Sequence, residues 1–181
     1  MRRWPAFFAA GVLAATAAAA EPRIRDFSIV VDGSQVLASF GLEEGFTPEL
    51  QARIESGLPT GLVYEFELLR DRKRWWDAGL EGARLDVVAM FNAVTREFLV
   101  NTKLDGRLID SRTLRDPGDL ERAMTRFTAL PVFTVAPSTD RRRLLVRARV
   151  ALGTGHWLGF IPVLRATDWV ESNKIRIRNS D

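Results

Sequence analysis

Alternating apolar and polar residues run through most of this chain and predict extended strands. In residues 62–69 the even positions, from Leu62 to Leu68, are apolar, and Glu65 and Glu67 lie among the odd ones. Successive side chains of a strand point to opposite faces, so one face of this segment should lie in a core. Similar patterns predict strands at residues 24–31, 36–42, 85–91, 94–100, 107–114 and 144–152.

Two segments have the pattern of short amphipathic helices. Residues 46–59 have Thr47-Pro48 near their start, and residues 116–130 begin with Asp116-Pro117. A hydroxyl or carboxylate can cap free N–H groups, and proline suits the first helical position. Leu50, Ile54 and Leu58 form the predicted apolar side of the first helix. The apolar side of the second is predicted to be Leu120, Ala123, Met124, Phe127 and Leu130, before Pro131 ends it.

The connections favour antiparallel neighbours. Asp32-Gly33 and Asp105-Gly106 suit tight hairpin turns, residues 79–83 are predicted as a loop, and the apolar residues 131–135 as an edge strand. The expected fold is therefore mainly β, an antiparallel sandwich or strongly curved sheet of about eight strands with two short α-helices. A closed barrel with an internal ligand cavity is the alternative.

The first twenty residues have the pattern of a secretory signal peptide. Arg2 and Arg3 precede an alanine-rich apolar run that ends in small residues. We expect cleavage after about Ala20, which leaves residues 21–181 as a single β-rich domain that is periplasmic or secreted. An uncleaved anchor is the alternative, but the run is short of the roughly 20 strongly apolar residues that a spanning helix needs. We expect no transmembrane segment after cleavage.

Composition narrows the possible functions. The chain has no cysteine, which excludes disulfides, thiolate metal sites and a cysteine nucleophile. Signal cleavage would remove two of the 26 basic residues. The remaining 24 basic and 23 acidic residues would give a net charge of +1. Nucleic-acid-binding proteins concentrate positive charge to displace counterions from phosphates, so we expect no nucleic-acid partner.

Motifs for most catalytic systems are absent from the sequence. His156 is the only histidine, and the chain has neither a GxSxG nucleophile motif nor a phosphate-binding loop. We therefore predict no metal site, no cofactor and no catalytic residue. A carboxylate pair for glycoside hydrolysis would leave no local pattern, so a carboxylate-based hydrolase stays open.

The end of the segment 57–77 carries the first candidate binding surface. Its residues are Arg70, Arg72, Arg74, Trp75 and Trp76. Guanidinium groups bind carboxylates and phosphates and stack on rings; a solvated strand end neutralised by nearby acids is the alternative. Either a bulge near Arg70 turns Trp75 inward, or the strand runs past its sheet and leaves Trp76 exposed beside the arginines.

The segment HWLGFIP at residues 156–162 is a second candidate. Trp157, Leu158, Phe160 and Ile161 would form an exposed apolar patch, with His156 beside it, if this segment is a loop. Burial as a cap over the core is the alternative. Neither candidate includes a recognisable metal-binding or catalytic arrangement.

Several segments together resemble one protein family. They are GLPTGLVYEFELLRDRKRWWD, FNAVTREFLV, LERAMTRF, LLVRARVAL and TDWVES, and the similarity spans roughly residues 24–178. The chain resembles exported bacterial proteins grouped as domain of unknown function 4390. This resemblance implies a Gram-negative envelope setting and, because such genes tend to lie near two-component signalling genes, an accessory role in envelope sensing. It supplies no catalytic or binding residues.

These observations favour a non-enzymatic binding or interaction module of the periplasm. Its expected partner is an envelope protein or a small anionic or aromatic ligand. The alternative is a hydrolase that acts on cell-wall or glycan material through carboxylates.

The first candidate surface can be tested by charge reversal. If Arg72 and Arg74 contact a partner, the Arg72→Glu/Arg74→Glu variant should recover much less of it from envelope extract than the wild type, because the attraction becomes repulsion. Pull-down followed by quantitative mass spectrometry measures this. Unchanged recovery by a folded double variant would remove these arginines from the binding surface.

Overall fold

Two β-sheets pack against each other around one apolar core. The computed structural model describes residues 21–70, 78–136, 144–153, 165–172 and 176–178. The strands are β1 (Arg23–Asp32), β2 (Gln35–Glu43), β3 (Thr60–Arg70), β4 (Ala78–Asn92), β5 (Glu97–Leu104), β6 (Arg107–Leu114), β7 (Arg126–Thr134), β8 (Leu144–Gly153), β9 (Arg165–Ala166), β10 (Val170–Glu171) and β11 (Arg176–Arg178). The helices are α1 (Pro48–Glu55) and α2 (Pro117–Thr125).

Within the described residues the strands form two separate open sheets, which is a sandwich-like arrangement. The smaller sheet has the strand order β11-β1-β2-β7, and the larger has β10-β8-β3-β4-β5-β6, with β9 also paired to β8. The prediction of a mainly β, sandwich-like fold with two short helices is confirmed. Eight long strands account for most of it, and the pairing is antiparallel except between β1 and β11, which run parallel.

Both predicted helices begin where their caps indicate. The Thr47 hydroxyl accepts a hydrogen bond from the Leu50 N–H at 3.2 Å, and the Asp116 carboxylate accepts one from the Asp119 N–H at 3.0 Å. Helix α2 contacts strands of both sheets and so covers an open side of the sandwich. No helix in the described ranges is long and apolar enough to cross a membrane.

The second helix is shorter than predicted because part of its apolar pattern belongs to a strand. Phe127 and Leu130 lie on β7, where they pair with Phe40 and Ala38 of β2. Between these pairs two residues of β7, Thr128 and Ala129, lie opposite the single residue Ser39 of β2, and Ala129 has a φ of 51°. This bulge turns both apolar side chains toward the core, so their spacing imitates a helix. Pro131 does not end the helix but lies within β7, an edge strand.

Other boundaries differ from the sequence predictions for local reasons. The predicted loop at residues 79–83 lies within β4, whose 15 residues make it the longest strand of the described chain. Val94 is 93% exposed in the turn before β5, which starts only at Glu97 because Arg96 has a φ of 58°. Leu58, predicted on the apolar side of α1, follows the helix and is 54% exposed.

Strand β3 forms the centre of the core, as its alternation predicts. Leu62, Tyr64, Phe66 and Leu68 are all at least 98% buried. The Phe40 ring centroid lies 5.1 Å from that of Tyr64 and 5.5 Å from that of Phe66, so the aromatic side chains join the two sheets. The Tyr64 hydroxyl donates a 2.8 Å hydrogen bond to the Met124 carbonyl and thereby ties α2 to the larger sheet.

Tyr64 makes this core testable by alkaline titration, because it is the only tyrosine of the chain. Burial raises the pKa of its hydroxyl above the ordinary value of 10.0. The folded state therefore holds the proton more tightly than the unfolded state. Below pH 10 this group leaves the free energy of unfolding unchanged; above it, stability falls by about 1.4 kcal/mol per pH unit. Phenolate absorbance should rise only together with the loss of the far-UV circular dichroism signal.

Tyr64→Phe is the matched control for this titration. It should lose the alkaline slope and, because the Met124 carbonyl is left without its donor, unfold with a free energy lower by about 1–3 kcal/mol at neutral pH. Urea denaturation measures both effects. Phenolate absorbance near pH 10 in protein that is still folded would contradict the buried position of the hydroxyl.

Candidate functional site

Most residues of the two sequence-predicted surfaces lie outside the described residues. This applies to Arg72, Arg74, Trp75 and Trp76 of the first surface and to His156, Trp157 and Phe160 of the second. Their role stays a prediction. Arg70 is the member that the structure describes.

Arg70 lies at the end of β3 on the core-facing side. The pairing of β3 with β8 runs without interruption from Gly61 to Arg70, which pairs with Leu144. In the pairing of β3 with β4 the register shifts between Leu68 and Leu69, but the extra residue lies on β4, between Gly79 and Glu81, so β3 keeps its alternation up to Arg70. The Arg70 Nε is buried and has no hydrogen-bond partner within the described part of the chain. Arg70 therefore lies at the end of the apolar core and is itself partly exposed.

The outer face of the larger sheet carries a ladder of ion pairs. Glu65 and Glu67 of β3 stand opposite Arg149 and Arg147 of β8 in the strand register. The Arg149 Nε donates to the Glu65 carboxylate at 2.6 Å, and the Arg147 Nη2 lies 2.6 Å from the Glu67 carboxylate. Side-chain exposures of 26–36% place these pairs half in the protein, where charges attract more strongly than in water.

Trp169 lies over this ladder. The carbons at the centres of the Arg147 and Arg149 guanidinium groups are 4.6 Å and 4.5 Å from the centroid of its ring. Cation–π attraction favours this arrangement. Backbone contacts hold the segment in place, because the Thr167 N–H donates to the Val150 carbonyl at 2.9 Å. We call Glu65, Glu67, Arg147, Arg149 and Trp169 the arginine–tryptophan face.

A shallow depression adjoins the arginine–tryptophan face. It has a volume of about 340 Å³ and is lined by Glu65, Phe66, Glu67, Gly82, Ala83, Arg84, Asp105 and Trp169. Gly82 stands opposite Glu67 in the register, and a Cβ atom built there would approach no atom closer than the Phe66 carbonyl oxygen at 3.8 Å. The missing side chain of Gly82 thus leaves room beside the Glu67 carboxylate.

The chemistry of this face suits recognition. Arg149 uses only its Nε for a hydrogen bond within the described residues. Its two terminal nitrogens can therefore donate to a carboxylate or phosphate. The Trp169 ring is partly exposed and offers a surface for stacking. No group of three or more potential metal ligands occurs in the described ranges.

A larger cavity of about 620 Å³ lies at the margin of the sandwich. Its lining is Glu21, Pro22, Arg23, Ile24, Arg25, Ala166, Thr167, Asp168 and Val170. The Arg25 Nε already donates to the Glu43 carboxylate at 3.0 Å. Within the described residues this lining includes no aromatic ring, so the arginine–tryptophan face is better suited to a flat or anionic ligand.

The sequence pattern indicated part of this face. Its alternation placed Glu65 and Glu67 on one side of a strand and made the outer side of β8 basic. The equal spacing of the two acids and the two arginines was a signal for a ladder in antiparallel register. Trp169 is not predictable as a site residue, because nothing near it in the sequence indicates that the chain returns across β8.

The fold and this face define a β-sandwich domain with an aromatic residue over a charged sheet surface. A family model described as "Domain of unknown function (DUF4390)" matches residues 19–156, and the chain belongs to this family. The match includes β1 to β8 but ends before Trp169, so it is shorter than the similarity expected from the sequence. No curated protein and no solved structure matches the chain.

Removing the Trp169 ring should destabilise the protein modestly. In Trp169→Ala both guanidinium contacts disappear while the backbone bonds of Thr167 stay, so the free energy of unfolding should fall by about 1 kcal/mol. Trp169→Phe, which keeps a smaller ring, should lose less. Urea denaturation of both variants measures this, and equal stability of Trp169→Ala and wild type would show that the ring contacts contribute nothing.

Proposed function

We propose that this protein is an exported, non-enzymatic binding module of the bacterial envelope, and that the arginine–tryptophan face and its depression form the binding surface. The observation that carries the proposal is the placement of Trp169 over two arginines beside a depression on an otherwise regular sheet face. Family membership and the predicted signal peptide support the envelope setting. An accessory role in envelope sensing is consistent with such a module.

The ligand class follows from the groups that remain available. Arg149 has terminal N–H groups to donate, and Trp169 has a partly exposed ring, so an anionic or aromatic group of an envelope protein or small molecule fits best. Glu65 and Glu67 balance the arginines, which disfavours indiscriminate attraction of anions. A bound group must therefore match the positions of the individual donors.

The carboxylates on this face are better placed for recognition than for hydrolysis. Glycoside hydrolases need two carboxyl groups that flank the scissile bond, one of which carries a proton. Glu65 and Glu67 each form an ion pair with an arginine, with 2.6 Å between carboxylate oxygen and guanidinium nitrogen. They lie on the same side of one strand. They therefore do not face each other across a cleft.

Filling the depression should abolish binding without disturbing the fold. Gly82→Leu places a side chain beside Glu67, and its Cβ meets only the Phe66 carbonyl oxygen at ordinary van der Waals distance, 3.8 Å. Envelope components captured by the immobilised wild type should be at least about tenfold depleted with Gly82→Leu, as expected when a bulky group is placed in a binding contact. Quantitative mass spectrometry of the captured material measures this.

Gly79→Leu is the matched control, because Gly79 lies on the same strand, has nothing within 4 Å of an added Cβ and does not line the depression. It should capture the same components as the wild type. Identical capture by all three proteins would remove the depression from the binding surface. If the wild type releases soluble fragments from purified cell wall and Glu65→Gln or Glu67→Gln does not, the protein is a hydrolase and not a binding module.

A further inference from the structure

The outer edge of β6 is an unpaired sheet edge in the part of the chain that the structure describes. β6 pairs with β5 on one side, and most of its side chains are exposed on both faces of the sheet. Leu108 and Ile109 are 58% and 44% exposed. Such an edge presents free N–H and C=O groups to any strand that can lie beside it.

The other described edges are protected against pairing. β7 contains Pro131 and two register shifts, while β10 and β11 have only two and three residues. Proline, bulges and short length are devices by which natural sheets prevent edge-to-edge association. β6 has no proline and one register shift, at Ile109, beyond which Asp110–Leu114 pair regularly with β5.

The charges of β6 make this edge complementary to itself. Asp110 and Arg112 lie on one face of the strand, with 2.6 Å between the Arg112 Nε and the Asp110 carboxylate. When two β6 strands lie antiparallel with Ser111 at the centre, Asp110 of each chain stands opposite Arg112 of the other. Both copies of Ser111 then face each other, and each of these charges meets an opposite one.

We propose that β6 pairs with β6 of a second copy of this chain, antiparallel and centred on Ser111, so that the larger sheets of two molecules join across a two-fold axis. The exposed Leu108 and Ile109 lie next to this contact and lose part of their exposure. The regular ladder is short, so the dimer buries little area and forms in a concentration-dependent way. The contact does not involve the arginine–tryptophan face and is independent of the proposed binding function.

Charge reversal tests the predicted register. In a dimer of Arg112→Asp two acidic residues stand opposite each other at both ends of the contact, and in a dimer of Asp110→Arg two arginines do. Each variant alone should therefore dimerise on the order of tenfold more weakly than the wild type. An equal mixture of the two variants restores both opposite-charge pairs and should dimerise like the wild type. Sedimentation velocity over a concentration series measures this, with Arg53→Asp on α1 as the control for a change in net charge.

A single cysteine tests the two-fold axis directly, because the chain has none of its own. Residues directly opposite in an antiparallel pair have Cα atoms about 4.5–5.5 Å apart, within the range that a disulfide spans. Ser111→Cys should therefore form a disulfide-linked dimer under mild oxidation far faster than Val94→Cys, whose side chain is 93% exposed in a turn. Adding Arg112→Asp to Ser111→Cys should slow this cross-linking.

Several results would overturn the proposal. These are equal cross-linking rates for Ser111→Cys and Val94→Cys, no dimer in the mixture of the two charge variants, and a wild-type dimer that Arg112→Asp does not weaken. Preferential capture of a different protein by Ser111→Cys would assign the edge to another partner. Circular dichroism melting of each variant confirms that all comparisons are made on folded protein.

Discussion

The charged face of a strand that lies in the middle of a sheet constrains the rest of this structure. β3 is hydrogen-bonded to β4 on one side and β8 on the other, so Glu65 and Glu67 are held on the outer face of the sheet, where their side chains are only 26% and 36% exposed. Their charges need cations at fixed register, which Arg149 and Arg147 supply. A slip of one residue between β3 and β8 would put these arginines on the core side, opposite Tyr64 and Phe66. The ion pairs and the aromatic core thus specify the same register from opposite faces.

Alternation predicted most of the long strands because it is local, whereas bulges depend on the neighbouring strand. Phe127 and Leu130 are three residues apart and both face the core, since Ala129 takes an extra position against β2. The same happens in β1, where Asp26 has a φ of 53° and Ile24 and Phe27 are both buried. Apolar residues three positions apart are also typical of a helix. Only the pairing with the neighbouring strand shows that these two segments are bulged strands.

The candidate site was less predictable than the fold for a related reason. The spacing of Glu65 and Glu67 on β3 and of Arg147 and Arg149 on β8 was visible, but their pairing joins residues 84 and 80 positions apart. Trp169 reaches the arginines because β9 and β10 fold back along β8, a path that no local pattern encodes. Gly82 indicated a loop by composition, yet it lies in a strand and shapes the depression through its missing side chain.

Arg70 lies on the opposite side of β3 from the arginine–tryptophan face. Its position on β3 has the same parity as Leu62 and Phe66, and the pairing with β8 keeps it on the core-facing side. Its Nε is buried without a hydrogen-bond partner among the described residues, which is costly, while the residue as a whole is partly exposed. The apolar core therefore ends near Arg70. Arg70 therefore belongs to the core-facing side of β3 at the end of the sandwich, whereas Trp169 and its arginines belong to the outer face of the larger sheet.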